Sequence, residues 1–225
     1  MILAKSYGAK TMADDSQPLG ATPGGDVSGL ILGHLSTPAA RNAAEAEAID
    51  RAYVKHVFRG RRKKRETEWL TDDFIRKVHA DMFGTIWEWG GQYRQTKMNI
   101  GVEPHRIREQ IKLLTGDFVS WNDPESTMSV VEIAACLQHR LTQIHPFLNG
   151  NGRHARLLTD IFFHSRHHPI PQWPQVQLMA QGNQIREVYI RAMKDADAGD
   201  ITELIQFIDE CLKESNESPF RRREN

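Results

Sequence analysis

The chain has 225 residues, 29 basic and 29 acidic side chains, and a formal net charge of zero. That length suits one domain with an arm and buries an adequate core without disulfide or metal staples, while the zero balance excludes the overall basic excess of a DNA-coating protein. Cys136 and Cys211 fall in helical patterns rather than a disulfide framework, and no apolar stretch near the N-terminus approaches the roughly 18–20 residues of a membrane span, so a cytoplasmic location without membrane contact is expected.

Residues 1–33 are rich in Gly, Pro, Asp, Ser and Thr and show no period, which predicts a flexible arm. Thr37 followed by Pro38 is a helix start, and Ala44, Ala48, Ile49, Ala52 and Val57 form one side of a helix over 38–58. A basic run, RGRRKKR at 59–65, follows it. Thr71 caps a second predicted helix, 72–83, with Phe74, Ile75, Val78 and Met82 on one face and Gly84 as its stop. The segment 84–104, with Trp87, Trp89, a Gly-Gly pair and short alternating pieces, predicts a loop carrying a small β-hairpin. Ile107, Ile111, Leu114 and Phe118 are spaced for a helix over 106–121. Ser129 and Glu132 form a capping-box pattern before a helix over 130–144, whose stripe is Val130, Ile133, Ala134, Leu137, Leu141 and Ile144. A loop then leads to a helix over 153–165, and two more helices fit 181–199 and 200–214. The class is mainly α, and the polar residues 215–225 predict a disordered tail.

The chemistry concentrates in His145-Pro146-Phe147-Leu148-Asn149-Gly150-Asn151-Gly152-Arg153-His154-Ala155-Arg156, between two strongly patterned helices. Two glycines flanking an asparagine let successive N–H groups turn inward as an anion nest, and the helix that follows presents its positive end to the same point. Arg153 and Arg156, at i and i+3, project to one side of that helix, as a di- or triphosphate would require. His145, restrained by Pro146 and by the core anchor Phe147, is placed as a general base.

This run resembles the signature of Fic-domain proteins, His-Pro-Phe, two variable residues, Gly-Asn-Gly-Arg, two variable residues, Arg. The similarity extends to WEWGGQYRQTKMNIGV and to REVYIRAMKDADAGDITELIQFI, and the wording is closest to the Fic subgroup known as mobile mystery protein B. The resemblance implies a Fic fold, a helical bundle with a small β-hairpin flap, occupying 34–214. It implies transfer of a nucleoside monophosphate, AMP from ATP, to a Ser, Thr or Tyr hydroxyl of a target protein. His145 would be the catalytic base. Asn149, Gly150, Asn151, Gly152, Arg153 and Arg156 would bind the phosphates. Lys97, Met98, Asn99, Ile100, Gly101 and Val102 would form the flap that clamps the target as an added strand.

At one position the chain departs from the family. Active members carry Asp or Glu before Gly150 to hold Mg²⁺, and Asn149 brings no charge, so a weak magnesium ligand is expected there. The alternative reading is therefore a nucleotide-binding or partner-binding Fic module with weak or no transfer. No Ser or Thr is followed four residues later by Glu, so the family's usual inhibitory segment is absent by sequence, leaving a separate inhibitory partner, the chain's own arm, or no inhibitor. RGRRKKR lacks interleaved aromatics, which disfavours nucleic acid, and His164, His167 and His168 lack a Cys or carboxylate at zinc-ligand spacing.

Overall fold

The structure, a computed structural model, describes residues 27–59 and 69–217; the expected arm up to residue 26, the basic run beyond Arg59 and the last residues of the tail lie outside them. Local chemistry accounts for the helix starts. Helix α1 (Pro38–Tyr53) begins where the Thr37 hydroxyl accepts the Ala40 N–H at 3.2 Å, and it passes into a π-helical turn, Val54–Phe58. Helix α2 (Asp72–Phe83) is capped by the Thr71 hydroxyl on the Phe74 N–H, with Asp72 and Asp73 at its positive end. Helix α3 (Ile107–Trp121) follows a 3₁₀ turn at Pro104–Arg106. Helix α4 (Val130–Ile144) opens on the expected capping box, in which Ser129 Oγ accepts the Glu132 N–H and the Glu132 carboxylate accepts the Ser129 N–H.

Residues 145–150 join α4 to α5 (Asn151–Ser165), and these two helices pack most extensively on one another. Ile133, Leu137, Leu141 and Ile144 meet Ala155, Leu158 and Phe162 in the buried core, with α2 and α3 adding Ile75, Val78, Met82, Ile111 and Phe118. The chain continues through α6 (Gln175–Met179), α7 (Gln184–Asp197) and α8 (Thr202–Glu217). Residues 29–31, the end of the expected arm, bond to the segment before α3: Ile31 N–H donates to the Ile86 carbonyl and Glu88 N–H to that of Gly29.

The sequence expectation needs correction at three places. No hairpin forms within 84–104; the described residues there make single bridges, Leu30 with Trp87 and Tyr93 with Phe147. The reason is Arg94, whose guanidinium takes the carbonyls of Thr96 and Val102, so a side chain rather than a partner strand closes the flap. Helix α5 starts at Asn151, two residues early, because left-handed Gly150 (φ +77°) ends the loop at once. The short α6, hidden by the prolines on either side of Trp173, went unpredicted.

Candidate active site

His145 closes α4 in the left-handed region (φ +49°), so the chain leaves the helix axis abruptly and Pro146 carries it into the loop. Phe147 then inserts fully into the core and lies flat on His79, ring centroids 3.6 Å apart. The Asn151 side chain bonds back to both the N–H and the carbonyl of Phe147, at 2.9 and 2.8 Å, and so fixes the loop's shape. At Gly150 a Cβ would come within 2.5 Å of the Phe83 ring, so both the turn and the space demand glycine.

The loop, the first turn of α5, the flap and α7 line a cavity of about 1120 Å³. His145 lines it, nearly buried. Its Nδ1–H donates to the Thr142 carbonyl at 3.3 Å, which leaves the Nε2 lone pair as the reactive one. Burial, with the nearby Arg94 charge, pushes its pKa down to about 4 despite the Thr142 bond, so the ring is neutral at physiological pH.

The N–H groups of Asn151, Gly152 and Arg153 belong to the first turn of α5, where the helix itself offers no acceptor, and all three residues line the cavity. Gly150 N–H is different: the Asn149 side-chain oxygen accepts it at 2.6 Å. Arg153 is also engaged, with Glu45 of α1 at 2.7 Å, and its guanidinium lies 4.9 Å over the Phe83 ring. Glu45 further accepts the Trp87 indole N–H at 2.8 Å.

Arg156 is buried yet has no carboxylate in ion-pair range among the described residues. Its guanidinium donates to Gln175 Oε1 at 2.8 Å and also hydrogen-bonds the Tyr189 side chain, while the buried Nε has no partner. Nearby Asp160 does not neutralise it. Burial pushes the Asp160 carboxyl up to about 8 against the bond from the Trp173 indole, so at neutral pH it is mostly protonated. A buried guanidinium without an ionised partner is expensive to fold around unless an anion completes it.

Met98 to Val102 of the expected flap line the cavity, whereas Lys97 points outward and pairs with Glu103 at 2.5 Å. Gly101 (φ +91°) packs so closely on His145 that a Cβ would lie 2.6 Å from the histidine Cβ. Arg94, which the sequence reading did not single out, ties residues 96–102 to His145: besides the carbonyls of Thr96 and Val102 it donates through Nε to the His145 carbonyl at 2.7 Å. Trp87 and Trp89 stack at 5.3 Å and form part of the cavity wall. His139, on the same wall, pairs with Asp197 at 2.8 Å. Glu45 and His79 were likewise missed. Both sit on the buried stripes of their helices, Glu45 with Arg41, Ala48 and Ala52, and His79 with Ile75, Val78 and Met82, and a charged or polar residue on such a stripe is the signal that could have found them.

The donor set does not make a magnesium seat. Asn149 offers one neutral oxygen, already accepting from Gly150, and the nearby carboxylate of Glu45 is held by Arg153 and Trp87.

Residues 69–163 match the sequence model of the Fic/DOC family. The protein adenylyltransferases Fic of Drosophila grimshawi and Drosophila melanogaster are each 30% identical over 128 residues, which is 56% of this chain; the chain spans only 25% and 24% of their respective lengths. Among solved structures, Fic-1 (residues 134–508) from C. elegans superposes with a TM-score of 0.62 at 25% identity, covering 78% of this chain and 50% of that one. The BepC protein of Bartonella tribocorum, solved with AMPPNP bound, shares the fold at a TM-score of 0.55 and 17% identity, over 78% of this chain and 87% of its own.

Proposed function

We propose that the chain is a Fic-type protein nucleotidyltransferase that moves a nucleoside monophosphate, AMP from ATP, onto a Ser, Thr or Tyr hydroxyl of a target protein. The observation that carries the reading is the convergence on one cavity of neutral His145, the first turn of α5 and Arg156, a buried cation with no carboxylate in ion-pair range among the described residues. The cavity, about 1120 Å³, exceeds the roughly 300–1,000 Å³ of ordinary small-molecule sites, which leaves room for a nucleotide and a target segment together.

In this reading the α5 N-terminus and Arg156 hold the phosphates. The target strand lies along 98–102, whose backbone no strand pairs, and His145 Nε2 takes the proton of the target hydroxyl. The hydroxyl oxygen bonds to the α-phosphorus as the bond to the bridging oxygen breaks, and pyrophosphate leaves with its electron pair. Positioning and charge neutralisation supply the catalysis. The subgroup resemblance and a cytoplasmic site of action belong to the same reading; two free cysteines, and no helix among the described residues long and apolar enough to cross a membrane, agree with it.

Two contacts favour the second reading, nucleotide binding with little transfer. Asn149 caps Gly150 N–H, and Glu45 holds Arg153, so two anion donors are already engaged. A separate inhibitory partner belongs to the same reading, as a group that would compete with the nucleotide for this cavity. Incubation with α-labelled ATP, GTP, CTP and UTP in a cell lysate separates the readings. Label on a protein band that disappears in His145→Ala supports transfer, nucleotide retention without label supports the module, and neither overturns both.

A further inference from the structure

His79 lies in α2, wholly buried, and bonds through both ring nitrogens. Nδ1 accepts the Gly91 N–H at 2.9 Å and therefore carries no proton. Nε2 is then the N–H, and it donates to the Asn149 carbonyl at 3.0 Å. The flat stack on Phe147, 9° between the planes, fixes the ring's orientation as well as its tautomer. Burial holds the pKa well below the ordinary histidine value, and protonation would set an Nδ1–H against the Gly91 N–H.

In a trans peptide the carbonyl of Asn149 and the N–H of Gly150 point in opposite directions. Gly150 tolerates either sign of φ, so the glycine that permits the tight turn also permits this peptide unit to flip. A flipped unit would exchange the two sides, turning the Asn149 carbonyl away from the core and the Gly150 N–H away from the Asn149 side-chain oxygen that now accepts it. We propose that His79 is the positioning residue of the anion loop: by holding the Asn149 carbonyl on the core side, it locks the 149–150 peptide with its N–H on the opposite side, where the Asn149 side-chain oxygen occupies it until a phosphate replaces that oxygen. This rests on the nucleotide-binding reading for its ligand, though not for its geometry.

Two substitutions separate the two bonds. In His79→Gln the side-chain amide can still donate to the Asn149 carbonyl, whereas in His79→Asn the amide oxygen can still accept from Gly91 but nothing reaches Asn149. The full chain and both variants are compared by calorimetric ATP titration, thermal melting and the Gly150 amide resonance, and the His79 tautomer is read from long-range ¹H–¹⁵N correlations of the unmodified protein. The expected result is an Nε2–H tautomer, ATP affinity in His79→Gln within roughly threefold of the parent, and a loss of about tenfold or more in His79→Asn at similar melting temperature, with the Gly150 resonance displaced only in the latter. An Nδ1–H tautomer, undiminished ATP binding by His79→Asn, or equal losses in both variants that track melting temperature would each overturn the proposal. Should the parent protein fail to bind ATP, the functional reading falls, while the tautomer and the Gly150 resonance still decide the role of His79.

Discussion

Removing the carboxylate that holds Arg153 should strengthen nucleotide binding, and the structure sets the size of the gain. Glu45 and Arg153 meet at 2.7 Å with side chains only 7% and 18% exposed, so solvent screens the pair little. A hydrogen bond to a charged group in such a setting contributes about 1.5–3 kcal/mol. A phosphate that claims Arg153 must first displace Glu45 and then tolerate its charge nearby. Glu45→Gln keeps an oxygen for the Trp87 indole, which Glu45 now accepts at 2.8 Å, so the packing of α1 against the segment before α3 survives. The variant should bind ATP roughly ten- to a hundredfold more tightly by calorimetry. Glu47→Gln is the control: Glu47 pairs with Arg51 on an exposed face and should alter nothing measurable. Unchanged or weaker ATP binding by Glu45→Gln, in a protein that melts like the parent, would refute the claim that Glu45 competes with the phosphates for Arg153.

Three further outcomes are expected. Asn149→Asp places a carboxylate at the cavity wall and should make ATP binding and labelling respond to added Mg²⁺, read by titrating Mg²⁺ against a metal-free baseline; no response would remove Asn149 as the defect. Because Asp160 is neutral up to about pH 8, its ionisation above that pH supplies an internal counter-charge to Arg156, so ATP affinity should weaken as pH rises through about 8 and Asp160→Asn should flatten that limb; the neutral base His145, by contrast, loses its lone pair only as pH falls through about 4. Arg94→Met frees three carbonyls at once and, on the proposed function, should lower the labelling rate by about tenfold or more while ATP affinity stays within roughly twofold, since Arg94 braces residues 96–102 and His145, whereas that reading gives the phosphates to α5.

Most of the helical frame and the loop's own chemistry are legible in the sequence because they are local. The capping box at Ser129, the stripes of α2 to α5 and the glycine at 150 each act within a few residues, and periodicity reports them. What the sequence withholds is the set of contacts that aim the loop: Glu45 reaches Arg153 across 108 positions, His79 reaches Asn149 across 70, and Arg94 reaches His145 across 51. These are not equally invisible. A nest that turns N–H groups toward an anion must hold the opposing carbonyls on its far side, and its arginines need some counter-charge when the anion is away, so the motif itself demands buried polar partners from elsewhere. Glu45 and His79 answer that demand from apolar helix stripes, where a carboxylate and an imidazole stand out as misplaced. Arg94 sits in an irregular segment with no stripe to contradict, and there the demand for a partner is legible while its identity is not.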